Sequence, residues 1–139
     1  MQKYLRDQRL LGTIEEVAKT MFPFPNDEHP ELETVLNAPE PRMSIGEVDG
    51  RPLYPNIVVV RRPGQWLSLM GEVEMPDSVT DDAALDRWLP YSRLGDLTLY
   101  VPAGLAREAR KICRNHGVRL KGLRTWRFRP VWGLDIRLA

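Results

Sequence analysis

Glu72 and Glu74 are the residues of this sequence best placed to do chemistry, because they stand two apart at the end of an apolar stretch, Trp66 to Glu74. On an extended strand, side chains alternate between faces, so Trp66, Ser68, Met70, Glu72 and Glu74 share one face and Leu67, Leu69, Gly71 and Val73 the other. Two carboxylates leaving one face of an apolar strand are costly to bury alone. They become tolerable when a cation or a set of donors lies between them, and hard divalent cations such as Mg²⁺ or Mn²⁺ take oxygen ligands of this kind. The other reading is a strand that leaves the core into water, with both carboxylates solvated.

A third polar residue lies sixteen positions earlier. Asn56 follows Pro55 and begins the β-branched run Ile57 to Val60, which suits a buried strand. Pro63-Gly64 supplies a turn. That turn folds the Asn56 strand back beside the Glu72 strand, and counting outward from it sets Asn56 level with Glu72. A polar group on one strand and two carboxylates on its neighbour can then face one spot.

The elements that must position these residues follow from periodicity. Leu10, Ile14, Val17, Ala18 and Met21 form one helical stripe. The helix covers Tyr4 to Met21, and Thr13 with Glu16 matches a capping box that would restart it after Gly12. A short helix is expected from Pro30 to Asn37, with Pro30 in its first turn. Asp49-Gly50 is a hairpin signal, so the sequence predicts a three-stranded antiparallel meander from Ile45 to Glu74. Ser78 and Thr80 are N-cap types ahead of a helix with Leu85, Trp88 and Leu89 on its inner face, ended or kinked by Pro90. A strand over Leu97 to Val101, a helix over Leu105 to His116 capped by Gly117, and a strand over Leu123 to Arg129 complete the order.

The Pro55-Asn56 pair, its spacing from Glu72-Val73-Glu74, the valine-rich run and the following helix together resemble the PD-(D/E)XK nuclease pattern. The resemblance covers roughly Thr13 to Val101 and is nearest to the small resolvase-like and RecB-type members. It implies a restriction-endonuclease-like α/β core, a mixed central sheet flanked by helices, and phosphodiester hydrolysis on DNA assisted by Mg²⁺ or Mn²⁺. It also implies a further acid from the first helix, a part open to Glu15 or Glu16, and a Gln-x-x-x-Tyr helix. Arg87 to Tyr91 keeps that tyrosine and has arginine for glutamine. Two positions depart from the pattern. Glu74 stands where lysine is usual, and Asn56 stands where an aspartate is expected. Unit charges 4 Å apart interact by about 4 kcal/mol at an effective dielectric of 20. The resemblance implies Asn56 and Glu72 as metal ligands, Glu72 the central one, and Glu74 as a second ligand or the base that orients water; losing one acidic charge weakens such a site severely. Two functions stay open: a metal-dependent nuclease, or a catalytically inactive nuclease fold that binds nucleic acid or protein.

Charge divides the chain. From Ala103 to Ala139 there are ten Lys/Arg and two acidic residues, net +8, against −7 for the remainder and +1 overall. Arg107, Arg110, Lys111 and Arg114 recur on one helical face, and Arg124 and Arg127 follow among aromatics. A polyanion partner such as DNA fits these residues, as does pairing of the two halves within the fold. With 139 residues, 42% hydrophobic and 28% charged, the chain is expected to be a single domain over 1–139. The lone Cys113 excludes an internal disulfide and reads as a packing residue. No apolar run reaches the ~20 residues of a membrane span, and the charged first nine residues do not read as a signal peptide, so a cytoplasmic protein is expected. His29 and His116 lack neighbours at zinc spacing. A homodimer, aided by Trp132 beyond the last predicted strand, is a further expectation.

Overall fold

The computed structural model describes residues 2–139. Its elements are α1 (Gln2–Met21), β1 (Leu32–Leu36), β2 (Glu47–Val48), β3 (Arg51–Pro52), β4 (Ile57–Arg61), β5 (Trp66–Val73), α2 (Asp81–Ala83), a π-helical turn (Ala84–Trp88), α3 (Leu89–Leu94), β6 (Leu97–Pro102), α4 (Ala106–His116), β7 (Gly122–Arg129) and β8 (Gly133–Leu138). Six strands form one mixed sheet in the order β1-β4-β5-β6-β7-β8, and β2 pairs with β3 as a separate ribbon. β1, β4 and β5 form an antiparallel meander, β6 and β7 add in parallel, and β8 returns antiparallel. The chain is thus α/β, with helices on both faces of a mixed sheet. Among the described residues, no helix is long and apolar enough to cross a membrane.

The two faces carry two apolar clusters. On one, Ile14, Val17 and Phe22 of α1 and the segment after it pack against Ile57, Val59, Val73 and Tyr100. On the other, Trp88, Tyr91, Ala109 and Ile112 pack against Met70, Leu97, Leu99 and Val101. β5 and β6 supply both clusters because their side chains alternate, as expected of central strands covered on both faces. A bulge opposite Val59/Val60 puts Leu67 and Leu69 on consecutive partners. Leu67 therefore joins Met70 on the α3–α4 face, whereas simple alternation assigned it to the opposite one.

Several sequence expectations change. The segment expected as a helix from Pro30 to Asn37 holds a strand, β1. Thr34 and Val35 are β-branched, and full pairing with β4 outweighs any local helical bias. The meander therefore begins at Leu32 and not at Ile45. The Asp49-Gly50 turn is present, with φ of 52° and 78° at its two residues, but it closes only the small β2–β3 ribbon. The Thr13–Glu16 capping box does not form, because α1 runs through Gly12 unbroken and Thr13 Oγ1 donates to the Arg9 carbonyl at 2.8 Å. Helical structure also continues past Pro90. That proline cannot donate to the Asp86 carbonyl four residues back, and the chain widens into the π turn. The Asp86 carbonyl instead accepts from Arg51 Nη2 at 3.1 Å. β8, absent from the sequence reading, follows the Pro130–Trp132 turn.

Asn37 fastens the loop after β1 to the start of β4. Its Nδ2 donates to the Met43 and Pro55 carbonyls at 2.9 and 2.8 Å, and its Oδ1 accepts from the Arg42 and Met43 N–H groups at 2.7 and 2.8 Å. A buried amide with all these bonds made is cheap to hold and costly to truncate. Asn37→Ala is expected to lower unfolding free energy by on the order of 3 kcal/mol, read from urea denaturation. A loss near zero would mean that the Pro55 segment is held by other contacts.

Candidate acidic site at the end of the central strand

β5 carries Glu72 and Glu74 to the carboxyl end of the sheet's central strands. The β4–β5 register sets Ile57 opposite Gly71, so Asn56 is level with Glu72, as the count from the turn predicts. Glu74 lies one residue past β5 and extends the parallel ladder by donating its N–H to the Tyr100 carbonyl at 2.8 Å. Both carboxylates are buried, Glu72 at 1% and Glu74 at 0% exposure, which removes the reading of a strand leaving into solvent.

A guanidinium joins the pair. Arg87 Nη1 donates to Glu72 Oε2 at 3.0 Å, and Nη2 donates to Glu74 Oε1 at 2.8 Å. The remaining oxygens are also engaged: Glu74 Oε2 accepts from Trp88 Nε1 at 2.8 Å, and Glu72 Oε1 accepts from the Asn56 backbone N–H at 2.8 Å. Every carboxylate oxygen of the pair therefore has a donor. The planar fork of arginine holds two donors at a fixed angle and so suits this double contact better than an ammonium, whose donors are not held in one plane.

The helix after β5 puts Arg87 there. Thr80 caps it, accepting from the Ala83 N–H at 3.1 Å. Ala83, Ala84 and Trp88 face inward, and the π turn lets consecutive residues, Arg87 and Trp88, both reach Glu74. π turns recur at functional positions in helices. In front of Arg87 lies an open depression of about 610 Å³ whose lining includes Asp77, Asp82 and Asp86.

The electrostatics follow from two acids and one base in a buried place. Burial, and next the Glu74 charge, raise the Glu72 pKa from 4.5 to about 8, against the lowering effect of Arg87 and the Asn56 N–H. Burial opposes the charge on Arg87, but Glu72 and Glu74 outweigh it and its pKa is raised. Burial, then Glu72, push the Tyr91 phenol up.

The expected site residues fare differently. Glu72 and Glu74 come together. Asn56 is adjacent, but it gives the pair its backbone N–H only, while its side-chain Oδ1 accepts from the Val73 N–H at 2.8 Å. Glu16 does not join them. It is exposed on α1, which packs on the opposite sheet face from Glu72, and Glu15 is exposed with it. Arg87 was visible in the sequence only as a departure from a glutamine pattern, and Trp88 only as an apolar helix residue.

A divalent cation does not fit the residues as arranged. Arg87 already occupies the carboxylate oxygens that would face it, and Asn56 directs its oxygen to backbone. Among the described residues, no group of three His, Cys, Asp or Glu side chains is placed to hold a metal. Cys113 is buried on the inner face of α4, and burial pushes its thiol up to about 11.

The basic residues divide into three places. Arg107, Arg110, Lys111 and Arg114 lie together on the exposed face of α4, and none has a carboxylate within 4.0 Å among the described residues. Arg124 lies beside Tyr100 in the next strand, on the α1 face. Arg127 pairs with Asp135 at 3.5 Å.

Compared with known proteins, the chain matches no family model, no curated protein and no solved structure.

Two outcomes are expected. Arg87→Met leaves two buried carboxylates without their cation and should destabilise the fold by about 3–5 kcal/mol, with Arg87→Lys recovering only part. An unchanged urea midpoint would show that the clamp is not the support of the pair. Because folded Glu72 holds its proton above the unfolded value of 4.5, the folded state binds more protons between about pH 4.5 and 8. Stability should therefore fall as pH rises through that window, and Glu72→Gln should flatten the slope of urea midpoint against pH. A rise in stability over the same window would contradict the raised pKa.

Proposed function

We propose that the chain is a restriction-endonuclease-like domain of the PD-(D/E)XK type that binds nucleic acid without cleaving it, its acidic pair closed by Arg87 in place of a divalent cation. The observation that carries this reading is the guanidinium bonded to both Glu72 and Glu74. The type is supported by the order of elements: a helix, an antiparallel meander, a helix and a parallel strand, with the acidic pair at the end of the meander's third strand.

Loss of hydrolysis follows from what such a reaction needs. A metal in a site of this kind activates water and offsets charge on the phosphate. Arg87 offers fixed positive charge but no bound water to ionise. Asp77 and Asp86 beside the opening are paired with Arg6 and Arg51, and Asp82 adds a further negative charge that disfavours a phosphate there. Binding is assigned instead to α4, whose four unpaired cations would contact successive phosphates, joined by the exposed Arg119 and Lys121.

The test combines cleavage and binding. Wild type should leave supercoiled and single-stranded DNA intact in Mg²⁺ and in Mn²⁺. It should bind a labelled oligonucleotide with an affinity that falls as salt rises. Arg110→Glu with Arg114→Glu should weaken that binding by about tenfold or more. Asn56→Asp with Arg87→Gln, which supplies a third acid and removes the clamp, should gain Mn²⁺ affinity detectable by calorimetry. Cleavage by wild type that disappears in Glu72→Ala would overturn the reading in favour of a working metal-dependent nuclease. Absence of salt-sensitive binding would leave the α4 face a solvated surface.

A further inference from the structure

The six-stranded sheet has two edges, and they are not alike. At the β1 edge, the Thr34 N–H donates to the Phe24 carbonyl at 3.3 Å and Thr34 Oγ1 to the Phe22 carbonyl at 2.6 Å, so the segment after α1 covers that edge. β8 forms the other edge, and among the described residues no strand lies beyond it. It carries neither proline nor bulge, the usual devices that keep an open edge from pairing. Large apolar side chains stand exposed along it: Leu138 is 76% and Phe128, on the neighbouring strand, 54% exposed.

The backbone parity of β8 is fixed by its pairing with β7. The Ala139 N–H donates to the Leu123 carbonyl at 3.1 Å, so by alternation Asp135 and Arg137 turn their peptide groups toward β7. Leu134, Ile136 and Leu138 then present theirs outward. The side chains alternate as well. Leu134 and Ile136 pack on the α1 face, with Leu138 in line, while Asp135 and Arg137 project from the other face.

We propose that β8 is a self-pairing edge, and that two copies of the chain join antiparallel about a two-fold axis through Ile136. The sequence Leu134-Asp135-Ile136-Arg137-Leu138 is complementary to its own reverse. In this register Ile136 meets Ile136 of the second copy, each Leu134 meets Leu138, and each Asp135 meets Arg137. The outward peptide groups of Leu134, Ile136 and Leu138 fall at the hydrogen-bonded pairs, giving about six backbone bonds. The Asp135–Arg137 pairs fall at the closer, non-hydrogen-bonded sites, where cross-strand charge pairs interact best. The neighbouring registers of the same parity are excluded by charge, since one sets Asp135 against Asp135 and the other Arg137 against Arg137. On the α1 face, the row from Phe128 to Leu134 continues onto Leu138 of the second copy, which covers apolar surface left exposed in the single chain. Within one chain, Arg127, Arg129 and Arg137 all approach Asp135 Oδ2, at 3.5, 3.1 and 3.1 Å. Among the described residues this leaves Asp135 Oδ1 open to a partner's arginine. The pairing is independent of Arg87 and of the α4 face.

Sedimentation equilibrium of the full chain tests it, at about 50 μM because a single-strand interface of this size belongs in the micromolar range. The expected mass is twice 16.0 kDa. Arg137→Asp and Asp135→Arg should each sediment as monomers, by setting like charges opposite. An equimolar mixture of the two should recover the dimer, because both cross-pairs become Asp against Arg again. Leu138→Lys, at an exposed position, should weaken the dimer by about tenfold with an unchanged circular dichroism spectrum. A monomeric wild type, an Arg137→Asp variant that still dimerises, or a mixture of folded variants that stays monomeric would each overturn the proposal. So would association that appears only when an oligonucleotide is added, which would assign this surface to nucleic acid.

Discussion

Two carboxylates sealed into one protein interior cannot both stay ionised without a partner, and most of the local structure here can be traced to that constraint. Glu72 and Glu74 share a site from which water is excluded. The buried pair is held by one guanidinium, one indole N–H and one backbone N–H. The donors come from two places: the π turn gives Arg87 and Trp88, and the entry to β4 gives the Asn56 N–H. The arrangement is well satisfied, although satisfaction is not the same as stabilisation. A buried ion pair loses solvation that its Coulomb energy only partly returns, and an apolar replacement of all three side chains would be no less stable on general grounds. What the clamp does supply is uniqueness. Its fixed geometry admits one relation between β5 and the helix that follows.

That relation depends on features some distance from the acids. Asn37 gathers the loop after β1 and holds it to the Pro55 carbonyl, which sets where β4 begins and hence where the Asn56 N–H points. Thr80 caps the helix on the other side. Pro90 denies the helix a regular hydrogen bond at the point where the π turn occurs, and Arg51 on β3 takes up the freed Asp86 carbonyl. The β2–β3 ribbon is small, but through Arg51 it supports the turn that carries Arg87.

Some of this could be read in the sequence. Strict alternation in Trp66 to Glu74 identified the acidic pair and its shared face, and the turn at Pro63-Gly64 identified the strand beside it. Those are short-range rules applied to strongly patterned segments. Where the reading failed, a longer-range interaction decided. Leu32 to Leu36 has only five residues, too few for periodicity to separate strand from helix, and its pairing with β4 is a tertiary fact. The Ser68 bulge reversed the assignment of Leu67 by inserting one residue into the alternation. Glu16 looked available as a further acid, but which sheet face α1 covers is settled by packing of Ile14, Val17 and Phe22, and that face is the wrong one. Arg87 was the most consequential miss. A sequence shows that an arginine replaces a glutamine, but not that its guanidinium will reach both carboxylates.

A side chain and a bound cation would control such an acidic pair differently. A bound metal comes and goes with its concentration, so an acid pair that depends on one can exist in empty and filled states. Arg87 is tethered through the backbone of the same helix, and its positive charge is retained at any pH the fold survives. The site then responds to solution conditions through the proton on Glu72, whose pKa burial and the Glu74 charge move toward neutrality. The cations without a carboxylate within 4.0 Å among the described residues include those on the exposed face of α4. The fold therefore keeps this one acidic pair inward, closed by Arg87, and leaves the α4 bases outward.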